Sequence, residues 1–96
     1  MFVIRNVFRC RPGKAGAVAD KFRAAHELMR DTGIEPRIMI DEVADFWTVV
    51  VEVEVEDLAE FGRVMHERGS REDVKAAMSG YLEMVESGRR EIYRVV

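Results

Sequence analysis

The run Phe46 to Val55, FWTVVVEVEV, constrains this chain more than any other stretch. Its odd positions, Trp47, Val49, Val51, Val53 and Val55, are all apolar, whereas the even ones pass from Phe46 and Thr48 through Val50 to Glu52 and Glu54. Strict alternation of β-branched residues, with no Gly or Pro, predicts a central β-strand with one wholly apolar face and one mixed face. An apolar face in water must be covered, and amphipathic helical patterns flank this strand in the sequence.

Before it, Phe2 to Arg11 sets Phe2, Ile4, Asn6, Phe8 and Cys10 against Val3, Arg5, Val7, Arg9 and Arg11, a first strand with one mostly apolar and one basic face. Pro12-Gly13 breaks that ladder, and from Lys14 to about Thr32 the period becomes helical, with Val18, Phe22, Ala25 and Met29 on one stripe. Gly33 suits the left-handed residue after a helix, with Ile34 placed to fold back on the last turn. Ile34 to Val43 is extended again, and Pro36, which cannot donate a ladder hydrogen bond, sends this second strand to a sheet edge.

After the central strand, Asp57 and Glu60 form an N-cap and capping box for a helix whose stripe is Leu58, Phe61 and Met65. Gly69 ends its first part; Ser70 and Asp73 restart it, and Val74, Met78, Tyr81 and Val85 carry the stripe to Ser87, with Gly88 as the stop. Arg89 to Val96 is the last strand.

Ninety-six residues make one domain, 1–96, large enough to need neither disulfide nor structural metal. No apolar run approaches the roughly 18 residues of a membrane span, and Arg5 and Arg9 interrupt what would be a signal-peptide core, so the expected location is cytoplasmic. Cys10 is the only cysteine, and neither it nor His26 or His66 stands at metal-ligand spacing, so no metal site is expected. A net charge of -3 argues against general nucleic-acid binding, which needs a basic surplus.

The order β-α-β-β-α-β is the split βαβ pattern of ferredoxin-like α+β folds, with an antiparallel sheet in the order 4-1-3-2 and both helices on one face. The uncovered face then carries Val3, Arg5, Val7 and Arg9 beside Phe46, Thr48, Val50, Glu52 and Glu54. Arg5 and Arg9 are expected to pair with Glu52 and Glu54 across the ladder. Strands one and four form a basic half, with Arg89, Arg90 and Arg94 beside Arg5, Arg9 and Arg11, and strands two and three an acidic half. The simplest cover for such an amphipathic face is a second copy on a two-fold axis, so a homodimer is expected through Arg5, Val7, Arg9, Val50, Glu52 and Glu54.

Carried by RCRPGKAGAVADKF, FWTVVVEVEV and ESGRREIYRVV, the whole chain resembles the dimeric α/β-barrel superfamily, which includes antibiotic-biosynthesis-monooxygenase-like and NIPSNAP-like proteins. The resemblance implies two sheets packed face to face, with a cavity between sheet and helices in each subunit where family enzymes hold substrate. It further implies a small apolar or aromatic ligand, either for a cofactor-independent monooxygenase or for a non-enzymatic NIPSNAP-like binding or assembly module; whether the chain is an enzyme stays open. Asn6 matches the strand-one Asn that monooxygenases of the superfamily use as a hydrogen-bond donor to oxygen, with a structural partner in the second helix as the competing role. Where haem-degrading members carry an axial His, this chain has Met78, a departure that argues against haem, and no cofactor is expected. Trp47, expected to point at the helices, and Tyr81, returning from the second helix, would complete with Asn6 and Met78 a largely apolar ligand pocket.

Overall fold

A computed structural model describes all residues, 1–96. Strand β1 (Phe2–Cys10) is followed by helix α1 (Ala15–Leu28), a 3-10 turn (Arg30–Thr32), β2 (Arg37–Ile40), β3 (Thr48–Val55), α2 (Leu58–Ser70), α3 (Glu72–Ala77), a second 3-10 turn (Tyr81–Met84) and β4 (Val85–Arg94). The strands form one antiparallel sheet in the order β2-β3-β1-β4, the ferredoxin-like arrangement, and β2 is an edge as Pro36 requires. No helix is long and apolar enough to cross a membrane.

The core lies between the helices and one sheet face. Val18, Phe22 and Ala25 of α1, with Met29 just beyond it, meet Val49 and Val51 of β3 together with Val64, Val74 and Met78, while Ile4, Val53 and Phe61 make a smaller cluster. Ile4, Val18 and Val49 are fully buried, each contributing about 1.5–3 kcal/mol of apolar transfer. Cys10 belongs to this core, and burial pushes its thiol pKa up. Gly33 ends the first 3-10 turn at φ 77°, and Ile34 folds back onto the core as its position demands. At the start of α2 the Asp57 carboxylate accepts from the Ala59 amide at 2.8 Å, but Glu60 faces Arg63 at 3.7 Å rather than closing a capping box.

Several boundaries differ from those the pattern predicts, each for a local reason. The central strand starts at Thr48, because Phe46 and Trp47 both adopt left-handed backbone, φ 57° and 56°. The alternation therefore stops short of Trp47, which is 44% exposed at the β2–β3 connection and takes no part in the core beneath the helices. Asp41 closes that connection: its carboxylate accepts from the Thr48 amide at 2.8 Å and its own amide donates to the Thr48 carbonyl at 3.1 Å. Helix α2 runs through Gly69, and the break falls at extended Arg71, whose guanidinium is held by Asp73 and by the Leu28 carbonyl at 2.9 Å.

The helical region also ends about ten residues early. Gly80, at φ 83°, turns the chain, and Val85 to Gly88, predicted as the end of a helix, are the first part of β4 paired to β1. Gly88 is thus no helix stop but a close approach of strands, where a Cβ would stand 3.3 Å from the Val7 carbonyl oxygen.

On the open face, the register sets Arg5 opposite Glu52 on one side and Glu91 on the other. Arg5 lies 3.2 Å from Glu52 and 3.7 Å from Glu91; Arg37 also pairs with Glu52, and Arg89 with Glu91 at 2.9 Å. This chain of charges crosses all four strands. Arg9 reaches Glu86 at 3.9 Å, not Glu54, because the register puts Thr48 opposite Arg9 and Val3 opposite Glu54. The expected division into basic and acidic halves is absent: Arg37 sits among the acids of β3, Glu86 and Glu91 sit among the bases of β4, and Arg90 and Arg94 share the helix side with their partners Asn6 and Phe2.

Candidate functional site

Asn6 is the polar residue that β1 places on its helix-facing alternation, between Ile4 and Phe8. Its side-chain oxygen accepts from Arg90 Nε at 2.7 Å, across the β1–β4 pair. With the oxygen so engaged, the amide nitrogen and its two N–H donors are the half left free.

Two clefts open between sheet and helices around this residue. One, narrow at about 60 Å³, runs between α1, α2 and the β2–β3 half of the sheet, its floor made by Val51 and Val53 and its far wall by Ile34, Pro36 and Ile38. The other, about 260 Å³, lies toward α3 and β4 and reaches Val74, Met78 and Tyr81. Asn6, Phe22, Met65 and Arg68 line both, so these four side chains form the shared wall. Tyr81 meets Phe22 edge-on at 5.8 Å between ring centroids, and Phe22 in turn lies 4.9 Å from Phe8. The Tyr81 hydroxyl makes no hydrogen bond within the chain, and three aromatic rings thus bound the second cleft.

Arg68, on the last turns of α2, joins this wall although it is not among the expected site residues. Its guanidinium carbon rests 5.8 Å from the centre of the Phe22 ring, and burial pushes its pKa down, with Tyr81 acting more weakly in the opposite sense. The signal was present in the spacing: Phe61, Val64 and Arg68 fall at i, i+3 and i+7, so an arginine occupies the buried stripe of α2.

Of the residues expected to form the site, Asn6, Tyr81 and Met78 come together on the second cleft, Met78 as a buried core side chain at its base. Trp47 does not join them; its left-handed backbone leaves it in the β2–β3 connection, outside both clefts. His26 lines the first cleft with Nε2 3.3 Å from Glu35, whereas His66 is exposed on α2. No three His, Cys, Asp or Glu side chains gather as a ligand set.

No model of a known protein family matches the sequence, and no curated protein matches it significantly. Solved structures do. A NIPSNAP family protein from Agrobacterium tumefaciens superposes with a TM-score of 0.83 at 13% identity, covering 99% of this chain and 92% of that one. An uncharacterised NIPSNAP domain protein from Burkholderia xenovorans gives a TM-score of 0.83 at 11% identity over 100% and 95% of the two chains. A structure described as an antibiotic biosynthesis monooxygenase gives 0.74 at 15% identity over 100% and 99%. The chain shares their fold. At such identities the likeness establishes architecture, and chemistry has to be argued from the clefts.

Proposed function

We propose that this protein binds a small apolar or aromatic metabolite between its sheet and helices, as a homodimer joined through the open sheet face. One observation carries the reading: the clefts are walled mainly by apolar and aromatic side chains, yet Asn6 brings free amide donors to the wall they share. A few convergent donors in an apolar hollow are what orients a ligand that is otherwise held by burial. Dimerisation is supported by the sheet's second face, where half-buried Val3 and Val50 and buried Val7 lie among paired charges.

In the enzymatic form, the ligand is an electron-rich aromatic or enolisable compound oxidised without a cofactor. A CH2 group becomes C=O while O2 is reduced, one oxygen entering the substrate and the other leaving as water, so no external reductant is consumed. Asn6 would then hold the developing oxyanion through its amide N–H groups. The fold shared with a structure described as a monooxygenase supports this form, and the fold shared with NIPSNAP proteins supports a non-enzymatic binding or assembly module. Favouring the second is the Arg90 contact, which gives Asn6 a structural role in joining β1 to β4.

Native mass spectrometry of gently purified protein tests the reading. The expected spectrum is a dimer carrying an extra small-molecule mass, whose loss from an Asn6→Ala variant would tie it to the cleft. An empty dimer shifts weight to the assembly module, and a monomer sinks the two-fold packing of sheets.

A further inference from the structure

The clefts combine an apolar lining with a one-sided set of charges. The chain has 18 acidic residues, yet no Asp or Glu lines either cleft, while His26, Arg68, Lys75 and Arg90 do. Two of these cations are already engaged, Arg90 with Asn6 at 2.7 Å and Lys75 with Glu72 at 3.4 Å, and His26 faces Glu35. Arg68 is not. Every other arginine except exposed Arg94 makes a hydrogen bond or an ion pair, but the Arg68 guanidinium makes neither and lies over the face of Phe22, with Tyr81 nearby.

Arginines often cover apolar surface with their stems while the head group stays in water. Arg68 departs from that habit, because it is half-buried and its head group lies over a core ring at the boundary of both clefts. A guanidinium stacked on a ring keeps its edge N–H groups for a second partner, and their fork matches the two oxygens of a carboxylate.

Taking the cavity as a ligand site, as proposed above, we infer that its ligand is an acid: an apolar or aromatic body whose carboxylate is held by Arg68, beside the amide of Asn6. A monoanion suits this wall better than a phosphate dianion. Only one cation is uncommitted, and the surrounding surface of Phe22, Met65 and Val64 offers an apolar body more than it offers further charge. Arg68 is then a binding residue that sets ligand class.

The test uses the intact protein with two probes of nearly equal shape, 1-naphthoate and 1-naphthamide, titrated calorimetrically at neutral pH. The expected result is that naphthoate binds roughly tenfold or more tightly than naphthamide. Arg68→Gln should abolish that ratio, and Arg68→Lys should keep part of it. If Arg68→Gln does not fold, the wild-type ratio and a naphthoate-specific shift of the Arg68 Nε–H resonance decide instead. Equal binding of both probes, or a ratio that survives in Arg68→Gln, overturns the assignment of an anionic ligand to Arg68 and leaves the cavity reading standing. Binding of neither probe overturns the cavity reading, and this inference falls with it.

Discussion

Arg5 and Arg68 stand on opposite sides of the same sheet and meet opposite surroundings. Arg5 lies within 4 Å of Glu52 and Glu91, each of which has a second arginine as well, while Arg68 rests on an aromatic ring with no acid lining its clefts. On the open face, Arg5, Arg37 and Arg89 pair with Glu52 and Glu91 within the chain, so another surface could cover these charges with their partners in place. On the helix side, a cation and an amide are left for something else. One region has most of its charges paired within the chain; the other keeps a guanidinium and an amide unpaired.

The largest expected effect breaks the first half of that contrast. Val50 lies half-buried at the centre of the open face, opposite Val7 on β1 and Met39 on β2. Val50→Lys puts an extra ammonium, with no acid assigned to it, where the sheets of a dimer would meet. Burying such an unpaired charge costs several kcal/mol, enough to weaken association by about a hundredfold or more. Sedimentation velocity should show wild-type dimer and variant monomer at micromolar protein. A variant that stays dimeric would place the interface elsewhere.

A smaller pair of effects sharpens the contrast itself. Arg5→Met removes the middle of the charge chain across the four strands and should lower stability by about 1 kcal/mol in chemical unfolding. Arg68→Met removes a half-buried cation that has no partner to lose, so stability should stay level or rise while naphthoate binding disappears. Opposite signs for these two Arg→Met changes would mark one arginine as serving the fold and the other as serving a ligand. Equal losses would mean that Arg68, too, is structural.

Much of the architecture was legible before any coordinates, because periodicity and handedness report it directly. The alternation of Val49, Val51 and Val53, the edge position forced by Pro36 and the turn at Gly33 each correspond to one physical constraint that a sequence displays. The site was legible only in part. Asn6 and Tyr81 do share a cleft, but Trp47 was misplaced because nothing in the types Phe46-Trp47 announces two successive left-handed residues, a conformation that bulky side chains rarely adopt. Gly88 was misread because a glycine that lets strands approach looks, in sequence, like one that ends a helix. Arg68 was not legible as a site residue because it directly precedes Gly69-Ser70, which reads as a helix end, and an arginine in a last helical turn is ordinary.

The smallest effect is a difference in how the two sides respond to acid. Hydrogen bonding from Arg89, with the nearby charge of Arg5, holds the Glu91 carboxyl below the usual carboxylate range. A carboxylate whose folded pKa is depressed contributes stability above its unfolded value, about 4.3 for Glu, and loses it as pH falls through the lower folded value. Glu91→Gln should therefore melt below wild type at pH 7, and the gap should close below about pH 4 as wild-type Glu91 takes up its proton. Arg68→Met should show no such closing over the same range, because no carboxylate lines its clefts to titrate against it. Thermal unfolding of both variants against wild type from pH 7 to pH 3 reads this directly. If the Arg68→Met difference also moves with pH across the carboxylate range, an acid must pair with Arg68 in solution, and the guanidinium offered to a ligand is already taken.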